Sequence, residues 1–424
     1  MSVFPKERAA EPLAEASGLT SAPEGDMLGQ IRVQLKRLWS GNSGMIPVLI
    51  GLFVLGVYFW IRSSAFLSSG NLNNLFIQAT IYILLGMAEV WLLLLGEIDL
   101  SVGFTAALGA ATAVILLDTQ FHWPWWAGML TAILVTTFIA FIEGVLVISL
   151  RLPSFIVTLG FLIGLQGVLI FVVDRQGSSG TIPVTNKALY DLVNANLSPL
   201  FTWIFVGAVV VGASFLMLRT DISRRASGLE TKPFFVTVFK IVLSAAAGII
   251  VILIYVTNRG TFIVLRGIPW AIPIDFAVLA IGSFILAKTK AGRYIYAIGG
   301  NREAARRAGI NVNRYRLFAF LMTGVTAGVA GLLYASWLGG ISDAIAGGNL
   351  VLYAVASAVI GGTSLFGGRG KMIHAVVGGV IIATIFNGMA LIGMSAATQY
   401  IATGAVLVAA VMVDSLARRG NTAG

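Results

Sequence analysis

The sequence predicts an all-α polytopic membrane protein, and two observations lead to this fold class. Of its 424 residues, 58% are hydrophobic and 11% are charged, whereas soluble proteins carry about 25% charged residues. The apolar residues also fall into runs of roughly 17 to 25, the length that an α-helix needs to cross a hydrocarbon core of about 30 Å. A transmembrane β-barrel would instead show alternating apolar and polar residues, and the sequence lacks that alternation.

The apolar runs predict about twelve membrane spans with both termini in the cytoplasm. They cover 45–61, 75–95, 101–117, 125–148, 154–173, 200–218, 235–256, 272–287, 316–338, 350–366, 373–393 and 397–414. In this topology all but five of the 28 Lys and Arg residues lie on the cytoplasmic side or at its border, the bias that sets orientation. The net charge of +10 is therefore explained by topology. A nucleic-acid surface would gather these charges into one patch.

The sequence divides into a tail, a membrane domain and a short end. Residues 1–40 are rich in charge and proline and contain no apolar stretch long enough for a signal peptide, so we expect a largely disordered cytoplasmic tail. The transmembrane domain covers 41–418, and 419–424 form a second cytoplasmic tail. The absence of cysteine excludes disulfides and thiolate metal sites, and His122 and His374 belong to no metal-ligand pattern.

Two glycine-flanked breaks interrupt the apolar segments. The first, Gly96 to Gly103, carries two carboxylates, and we expect Asp99 or Ser101 to cap the following helix, with a substrate or ion ligand as the alternative. The second runs from Gly361 to Gly368. The candidate residues in the two breaks are Gly96, Asp99, Ser101, Gly103, Gly361, Gly362, Ser364 and Gly368. Matching glycines suggest a parallel duplication of 45–148 and 316–414, or else a chance alignment of Gly-rich segments.

The predicted cytoplasmic loop 288–315 contains a helix of about two turns. Asn301 is a good N-cap, Arg306 and Arg307 suit the last turn, and Gly309 can adopt the left-handed conformation that ends a helix. So short a helix is marginal alone, which implies a packing partner. The partner is either a groove on another protein, receiving a flat face of Ala304, Ala305 and Ala308, or the chain's own membrane domain.

These three segments together resemble the permease subunits of carbohydrate ABC importers of the ribose, galactose and xylose type. The resemblance rests on Gly96-Glu-Ile-Asp-Leu-Ser-Val-Gly103, Gly299-Gly-Asn-Arg-Glu-Ala-Ala-Arg-Arg-Ala-Gly-Ile310 and Gly361-Gly-Thr-Ser-Leu-Phe-Gly-Gly368, in that order. It spans roughly residues 70 to 415. Extra apolar segments around 200–256 look like the xylose-type branch. Glu97 departs from the family, which usually has glycine there.

The resemblance implies a membrane-bound assembly in which this chain is not an enzyme. Its expected partners are a second permease, two cytoplasmic ATP-binding subunits and an extracytoplasmic sugar-binding protein, in a bacterial plasma membrane. The sequence has no Walker A loop, so ATP would be used by the partner subunits and no cofactor is expected here. The ATPase-coupling residues implied are Asn301, Glu303, Ala304, Ala305, Arg306, Arg307, Ala308 and Gly309. The expected substrate is a monosaccharide, with a pentose such as xylose favoured.

Polar residues inside the spans offer candidates for a sugar path and for a rival function. The path candidates are Asn73, Asn74, Gln78, Gln166, Asn387, Gln399 and Tyr400, each of which could equally join two helices. Glu89 and Glu143 lie in apolar runs, and the rival is a proton-coupled secondary transporter that uses them as a relay. A structural membrane protein without solute flux is a third possibility. We expect the outer loop 174–198 to be a binding-protein dock or a flexible linker.

Overall fold

The computed structural model describes residues 45–118, 121, 123–177, 180–228, 234–259, 264–342 and 349–421. The predicted N-terminal tail and His122 lie outside these residues. Apart from Met45 and Ile46, the described residues belong to one compact unit that begins at Pro47. This part is almost wholly helical, which confirms the predicted fold class.

Fifteen α-helices are described, together with a short 3-10 helix, Ser64–Leu67, and two short strands. They are α1 Met45–Arg62, α2 Ser69–Leu93, α3 Val102–Leu116, α4 Trp125–Ser149, α5 Ser154–Gln176, β1 Thr181–Pro183, α6 Lys187–Asn194, α7 Pro199–Ala226, α8 Phe234–Val256, α9 Ala271–Lys288, α10 Lys290–Gly300, α11 Arg302–Arg307, α12 Val312–Leu338, β2 Gly340–Ser342, α13 Asn349–Ile360, α14 Met372–Leu391 and α15 Ala396–Asn421.

Eight of the described helices are long and apolar enough to cross a membrane, namely α2, α4, α5, α7, α8, α9, α12 and α14. Four other predicted spans correspond to shorter apolar helical segments, Val48–Arg62, Val102–Leu116, Asn349–Ile360 and Ala396–Val408. Long apolar helices in this number make a polytopic membrane protein. A total of twelve spans, the side of each terminus and the internal repeat remain predictions.

The predicted span 350–366 is wrong at its end, because α13 stops at Ile360. Gly362 has a φ of +112°, which a residue with a side chain rarely adopts, and the chain turns there. The second break therefore begins directly after a helix of 12 residues. The start of α2 also differs from the predicted residue 75, since Ser68 caps the helix by accepting a hydrogen bond from the Asn71 N–H at 3.3 Å.

Helices α2, α12 and α14 form the buried centre, while α7 and α8 lie mostly exposed at its edge. The centre packs closely because α12 is lined with glycines. A Cβ at Gly324 would lie 2.7 Å from Cα of Thr137 on α4, and one at Gly331 would overlap the backbone oxygen of Ala106 on α3. Small residues permit such helix contacts, so the glycines of α12 form a packing seam against α3 and α4.

The predicted loop 174–198 is folded onto the membrane domain over its described residues 180–198. Strand β1 pairs with β2 in antiparallel register, Thr181 opposite Ser342. Helix α6 docks on the end of α12, where the Asn194 Nδ2 donates to the Ser336 carbonyl at 2.9 Å and the Ser336 hydroxyl donates to the Tyr190 carbonyl at 2.7 Å. The linker interpretation is therefore wrong for this stretch.

Candidate functional site

Helix α11 has both of the ends that the sequence predicts. The Asn301 Oδ1 accepts from the Ala304 N–H at 2.9 Å, which makes Asn301 the N-cap. At the other end Gly309 has a φ of +80°, and the Ile310 N–H donates to the Ala305 carbonyl at 3.1 Å. This is the hydrogen-bond pattern of a Schellman motif. The chain enters and leaves α11 in a fixed direction, although the helix has only six residues.

The alanines of α11 do not form the flat outward face that the sequence predicts. Ala305 is buried against its own protein, with 5% of its surface exposed, whereas Ala304 and Ala308 are exposed. Glu303 pairs with both Arg306 and Arg307, and all three side chains are more than half exposed. The three alanines therefore do not share one outward face. The surface that α11 offers to a partner is charged and lies opposite Ala305.

A buried carboxylate attaches α11 to the first break. The Glu97 Oε1 accepts from the Arg302 Nη2 at 2.7 Å and from the Arg316 Nε at 2.5 Å. Glu97 is 4% exposed and the Arg316 side chain 11%, so this pair lies almost out of water, while Arg302 is half exposed. Arg302 is the first residue of α11 and Arg316 lies in α12. Glu97 therefore connects three elements, the first break, α11 and α12.

Arg302 and Arg316 were not among the predicted site residues. A signal was present, because a carboxylate within a helix break needs a basic partner, and arginine forms the strongest such pairs. The sequence could not show which of the arginines beyond residue 288 folds back onto Glu97. The separation in sequence is 205 residues for Arg302 and 219 for Arg316.

The three glycine-rich segments meet at one point. The Gly368 N–H, in the second break, donates to the carbonyl of Leu94 at the start of the first break at 2.9 Å. Gly299 of α10 lies against both, and a Cβ there would overlap the Leu94 oxygen and approach the Gly368 nitrogen to 2.6 Å. Glycine at 299 is therefore required by close approach of three backbones. The Tyr296 hydroxyl adds a hydrogen bond to the Gly370 carbonyl at 2.7 Å.

Side chains from α5 satisfy the backbone of the first break, as a chain crossing a membrane requires. The Leu100 N–H donates to the Thr158 Oγ1 at 3.0 Å, and the Ile98 N–H to the Ser154 Oγ at 3.4 Å. Asp99 Oδ1 accepts from the Ser101 N–H at 2.7 Å. Ser101 is the N-cap residue of α3 but makes no side-chain cap bond, so of the two predicted capping side chains it is Asp99 that accepts from a backbone amide at the start of this helix.

Two buried carboxyl groups contact Ser101, and a third, that of Glu89, lies near Asp99. The Ser101 hydroxyl lies 2.6 Å from the Asp99 Oδ1 and 2.5 Å from the Glu143 Oε1. A hydroxyl has one hydrogen to donate, so one of these two carboxyl groups must carry a proton and donate to Ser101. Glu89 is fully buried, and neither of its oxygens has a partner among the described residues. The described residues hold no group of His, Asp and Glu that could bind a metal ion.

The second break is held mainly by backbone bonds, together with side-chain bonds such as that from the Phe366 N–H to the Ser364 Oγ at 3.3 Å. The Thr363 N–H donates to the Ala358 carbonyl at 3.0 Å, and the Ser364 N–H to the Arg369 carbonyl at 2.9 Å. A Cβ at Gly361 would overlap the backbone oxygen of His374, so the chain doubles back closely on α14. Gly103, in the first break, lies against the start of α13, where a Cβ would be 3.1 Å from the Leu350 Cβ.

The seven sugar-path candidates differ in their burial and in their hydrogen-bond partners. Asn387 accepts a hydrogen bond from the Asn71 Nδ2 at 2.9 Å, which joins α14 to α2 as the helix-joining interpretation expects. Asn73 is buried, whereas Gln166 is exposed on α5. Gln399 donates to the Met394 carbonyl at 3.1 Å. Asn74 and Tyr400 are exposed and Gln78 is partly buried.

An aromatic cluster near the end of α14 was not predicted. The Tyr353 ring packs against Tyr82 and Phe386, with centroids 5.5 Å and 4.8 Å apart, both edge to face. Asn387 follows Phe386 directly in α14. No periodicity distinguishes these rings from other apolar positions, because they come from three helices far apart in sequence.

Comparison with known proteins shows a family match over most of the chain. Residues 71–411 match the family described as branched-chain amino acid transport system / permease component. The chain is 34% identical over 384 residues to the xylose transport system permease protein XylH of Escherichia coli K12, which covers 90% of this chain and 94% of the relative.

Two further relatives are also sugar permeases by name. The D-allose transport system permease protein AlsC of Escherichia coli K12 is 30% identical over 364 residues, covering 86% of this chain and 89% of the relative. The ribose import permease protein RbsC of Haemophilus influenzae is 28% identical over 366 residues, covering 86% and 91%. No solved structure was found to match the chain.

Proposed function

This chain belongs to the family of ABC-importer permeases, in its sugar-permease branch, and we propose that it moves a monosaccharide into the cytoplasm under the drive of ATP hydrolysis by separate subunits. It is a multi-pass protein of the bacterial inner membrane. The proposed sugar is a pentose such as xylose, because relatives named for xylose transport are 34% identical to the chain over about nine-tenths of its length. Its expected partners are two ATP-binding subunits, an extracytoplasmic sugar-binding protein and a second copy of the permease.

One observation supports the coupling part of the proposal: Glu97 pairs with both Arg302 of α11 and Arg316 of α12, and so attaches α11 to the membrane domain. A coupling helix must present one surface to the motor subunit and must be held firmly on the other side. In α11 the charged side with Glu303, Arg306 and Arg307 faces outward, and Ala305 faces inward. Arg302 and Glu97 then join it to the first break. A displacement of α11 would act directly on the α2–α3 junction and on α12.

The step itself is a switch between two packed arrangements of the permease dimer. We propose that closure of the ATP-binding subunits moves α11, and that the junction of Leu94, Gly299 and Gly368 moves with it as one body, because their backbones are in contact. Closely packed elements shift as rigid units. This chain then supplies the pathway and the connection to the motor subunits, and it carries out no chemical reaction.

Reconstitution tests the proposed function directly. The chain is placed in proteoliposomes with its candidate ATP-binding subunits and sugar-binding protein, and uptake of radiolabelled xylose, ribose and allose is measured with and without internal ATP. The proposal predicts uptake that requires ATP and the binding protein and that survives a protonophore. Uptake that continues without ATP and collapses with the proton gradient would support the secondary transporter instead.

A double variant tests whether the Glu97 pair connects α11 to the membrane domain. Glu97→Leu with Arg316→Met replaces a buried ion pair by apolar side chains, a change that is often neutral for stability. We expect a folded permease whose sugar-stimulated ATP hydrolysis falls several-fold, since Arg302 loses its partner. The control is Asp221→Leu with Arg225→Met, which removes a partly buried ion pair of α7 outside the expected docking loop. If sugar still stimulates ATP hydrolysis fully in the variant with Glu97→Leu and Arg316→Met, Glu97 does not transmit the movement of α11.

Glu89 and Glu143 are not proposed as a transport relay. Glu143 is explained locally by its bond to Ser101, and the family to which the chain belongs is that of ABC permeases. Among the described residues, neither carboxylate is paired with a Lys or Arg. A proton relay through Glu89 and Glu143 would need such a basic partner, and the described residues do not supply one.

A further inference from the structure

A cavity of about 460 Å³ lies between the α7–α8 hairpin and the central helices. Its walls come from α2, α7, α8, α9 and α14. The volume falls within the range of small-molecule pockets. None of the proposed sugar-path residues lines it. A sugar would meet few hydrogen-bonding groups there, so the cavity does not suit the transported substrate.

Four polar residues line the cavity, Thr80, Ser244, Tyr255 and Asp275, and the hydroxyls of Thr80 and Ser244 donate to carbonyls of their own helices. At one end of the cavity, the polar end, Tyr255 stands near the end of α8 and Asp275 near the beginning of α9. The opposite end, where Ser244 hydrogen-bonds to its own helix, is otherwise apolar, with Ile373 and Val376 of α14. From Ser244 to Tyr255 the wall extends for about 16 Å, at 1.5 Å per residue of helix. This shape suits a chain with a polar head and an apolar tail.

In the part of the chain that the structure describes, the side-chain oxygens at the polar end lack hydrogen-bond partners, although the Arg259 guanidinium lies 4.8 Å from the centroid of the Tyr255 ring. Asp275 is 7% exposed and Tyr255 1% exposed, and among the described residues neither Asp275 carboxyl oxygen nor the Tyr255 hydroxyl has a hydrogen-bond partner. No described Lys, Arg or His is among the residues lining the cavity. A buried polar group without a partner is costly, and two of them at the same end of one cavity indicate a site for a hydrogen-bonding ligand.

We propose that this cavity binds a single-chain amphiphile from the bilayer, with a hydroxyl or ammonium head group donating hydrogen bonds to Asp275 and its alkyl tail lying between α7, α8 and α14. The bilayer is the source because α7 and α8 expose much of their apolar surface, including Val211, Leu243 and Leu253. A water molecule would satisfy Asp275 but not the apolar remainder of the cavity. The bound amphiphile joins the hairpin to the central helices.

Photolabelling of the purified full chain in nanodiscs tests the proposal. The probes share one diazirine-bearing alkyl chain and differ in the head group, which is an amine, an alcohol or a methyl group. We expect labelling at residues lining the cavity, and the amine and alcohol should bind about tenfold more tightly than the methyl probe, the ratio given by roughly one strong hydrogen bond. Equal labelling by all three probes would overturn the assignment of Asp275.

Two variants approach the cavity from different walls. Asp275→Leu removes an unpartnered buried carboxyl and therefore does not endanger the fold, and it should abolish the preference for the amine and alcohol. Ala213→Phe fills the cavity from α7 and should suppress labelling by every probe. The control Asp221→Asn changes a buried carboxylate of α7 that is paired with Arg225 and does not line the cavity. Labelling in Ala213→Phe equal to that of the unmodified chain would show that the cavity holds no amphiphile.

Discussion

The two helix breaks lie side by side but are held by different means. The first is stabilised by side chains, since Asp99, Thr158 and the two arginines on Glu97 all bond to it. The second uses its own backbone, as in the bond from the Ser364 N–H to the Arg369 carbonyl. Both occur between apolar helices and both are rich in glycine.

Under the proposed function, this difference indicates which break a movement of α11 would reach first. A break held by backbone bonds is rigid, and its geometry depends on glycine. A break held by ion pairs is connected to whatever carries the opposite charge, and in this protein one of those charges belongs to α11. Under the proposed function, a movement of α11 would therefore enter the membrane domain through the first break, and the second break would follow through the contact of Gly368 with Leu94 and Gly299.

The largest expected effect on stability comes from removing the Glu97 carboxylate of the first break. Glu97→Ala leaves Arg316 almost buried without a partner, and the expected loss is about 3–5 kcal/mol of unfolding free energy. Thermal unfolding of the purified permease in detergent measures it. The control Glu303→Ala removes two exposed pairs and should cost less than about 1 kcal/mol. Similar melting temperatures for the two variants would show that the Glu97 pair is not a structural connection.

The next effect concerns the point where the two breaks touch. Gly299→Ala places a methyl group on the Leu94 carbonyl, and overpacking against backbone costs about 1–3 kcal/mol or more. Gly300→Ala is the matched control, because nothing lies within 4 Å of a Cβ at that position. Expression level and melting temperature should fall in the first variant alone. Equal behaviour of the pair would contradict the contact between the breaks and α10.

A smaller effect is expected inside the first break. Asp99→Ala leaves the Ser101 N–H without its acceptor, and an unsatisfied buried donor costs about 1–3 kcal/mol. Asp99→Asn retains an oxygen that can accept this bond and should lose less. Denaturation by heat in the same detergent ranks the two variants. An asparagine variant weaker than the alanine variant would show that the charge of Asp99, and not its hydrogen bond, stabilises the break.

The smallest effect belongs to the second break. Tyr296→Phe removes the hydroxyl bonded to the Gly370 carbonyl, worth about 0.5–1.5 kcal/mol. Burial raises the pKa of Tyr296 above its ordinary value of 10.0, so the phenol is protonated in the folded chain. Its contribution is complete below pH 10 and is lost as pH rises through the raised pKa. The difference between the variant and the unmodified chain should therefore be constant from pH 6 to 9.

Hydropathy, caps and glycine spacing were enough to predict the helices and α11, because these depend on residues near one another in sequence. The ends of α11 follow from Asn301 and Gly309 alone. The partners of Glu97 could not be predicted, since a contact across more than 200 residues leaves no local pattern. The cavity beside Asp275 was missed for the same reason. The prediction that Ala305 shares an outward face with Ala304 and Ala308 was wrong, because a six-residue helix has too few turns to define a face from sequence.

The most direct measurement concerns the side of the membrane on which α11 lies and what covers it. The sequence contains no cysteine, so Ala308→Cys, at an exposed position, gives a unique thiol. A membrane-impermeant maleimide should label it in inside-out vesicles only, and bound ATP-binding subunits should protect it. Lys187→Cys on α6 is the control for the opposite side. Labelling of the α11 thiol from the outer face of intact cells, or full labelling in the assembled complex, would contradict the coupling role of α11.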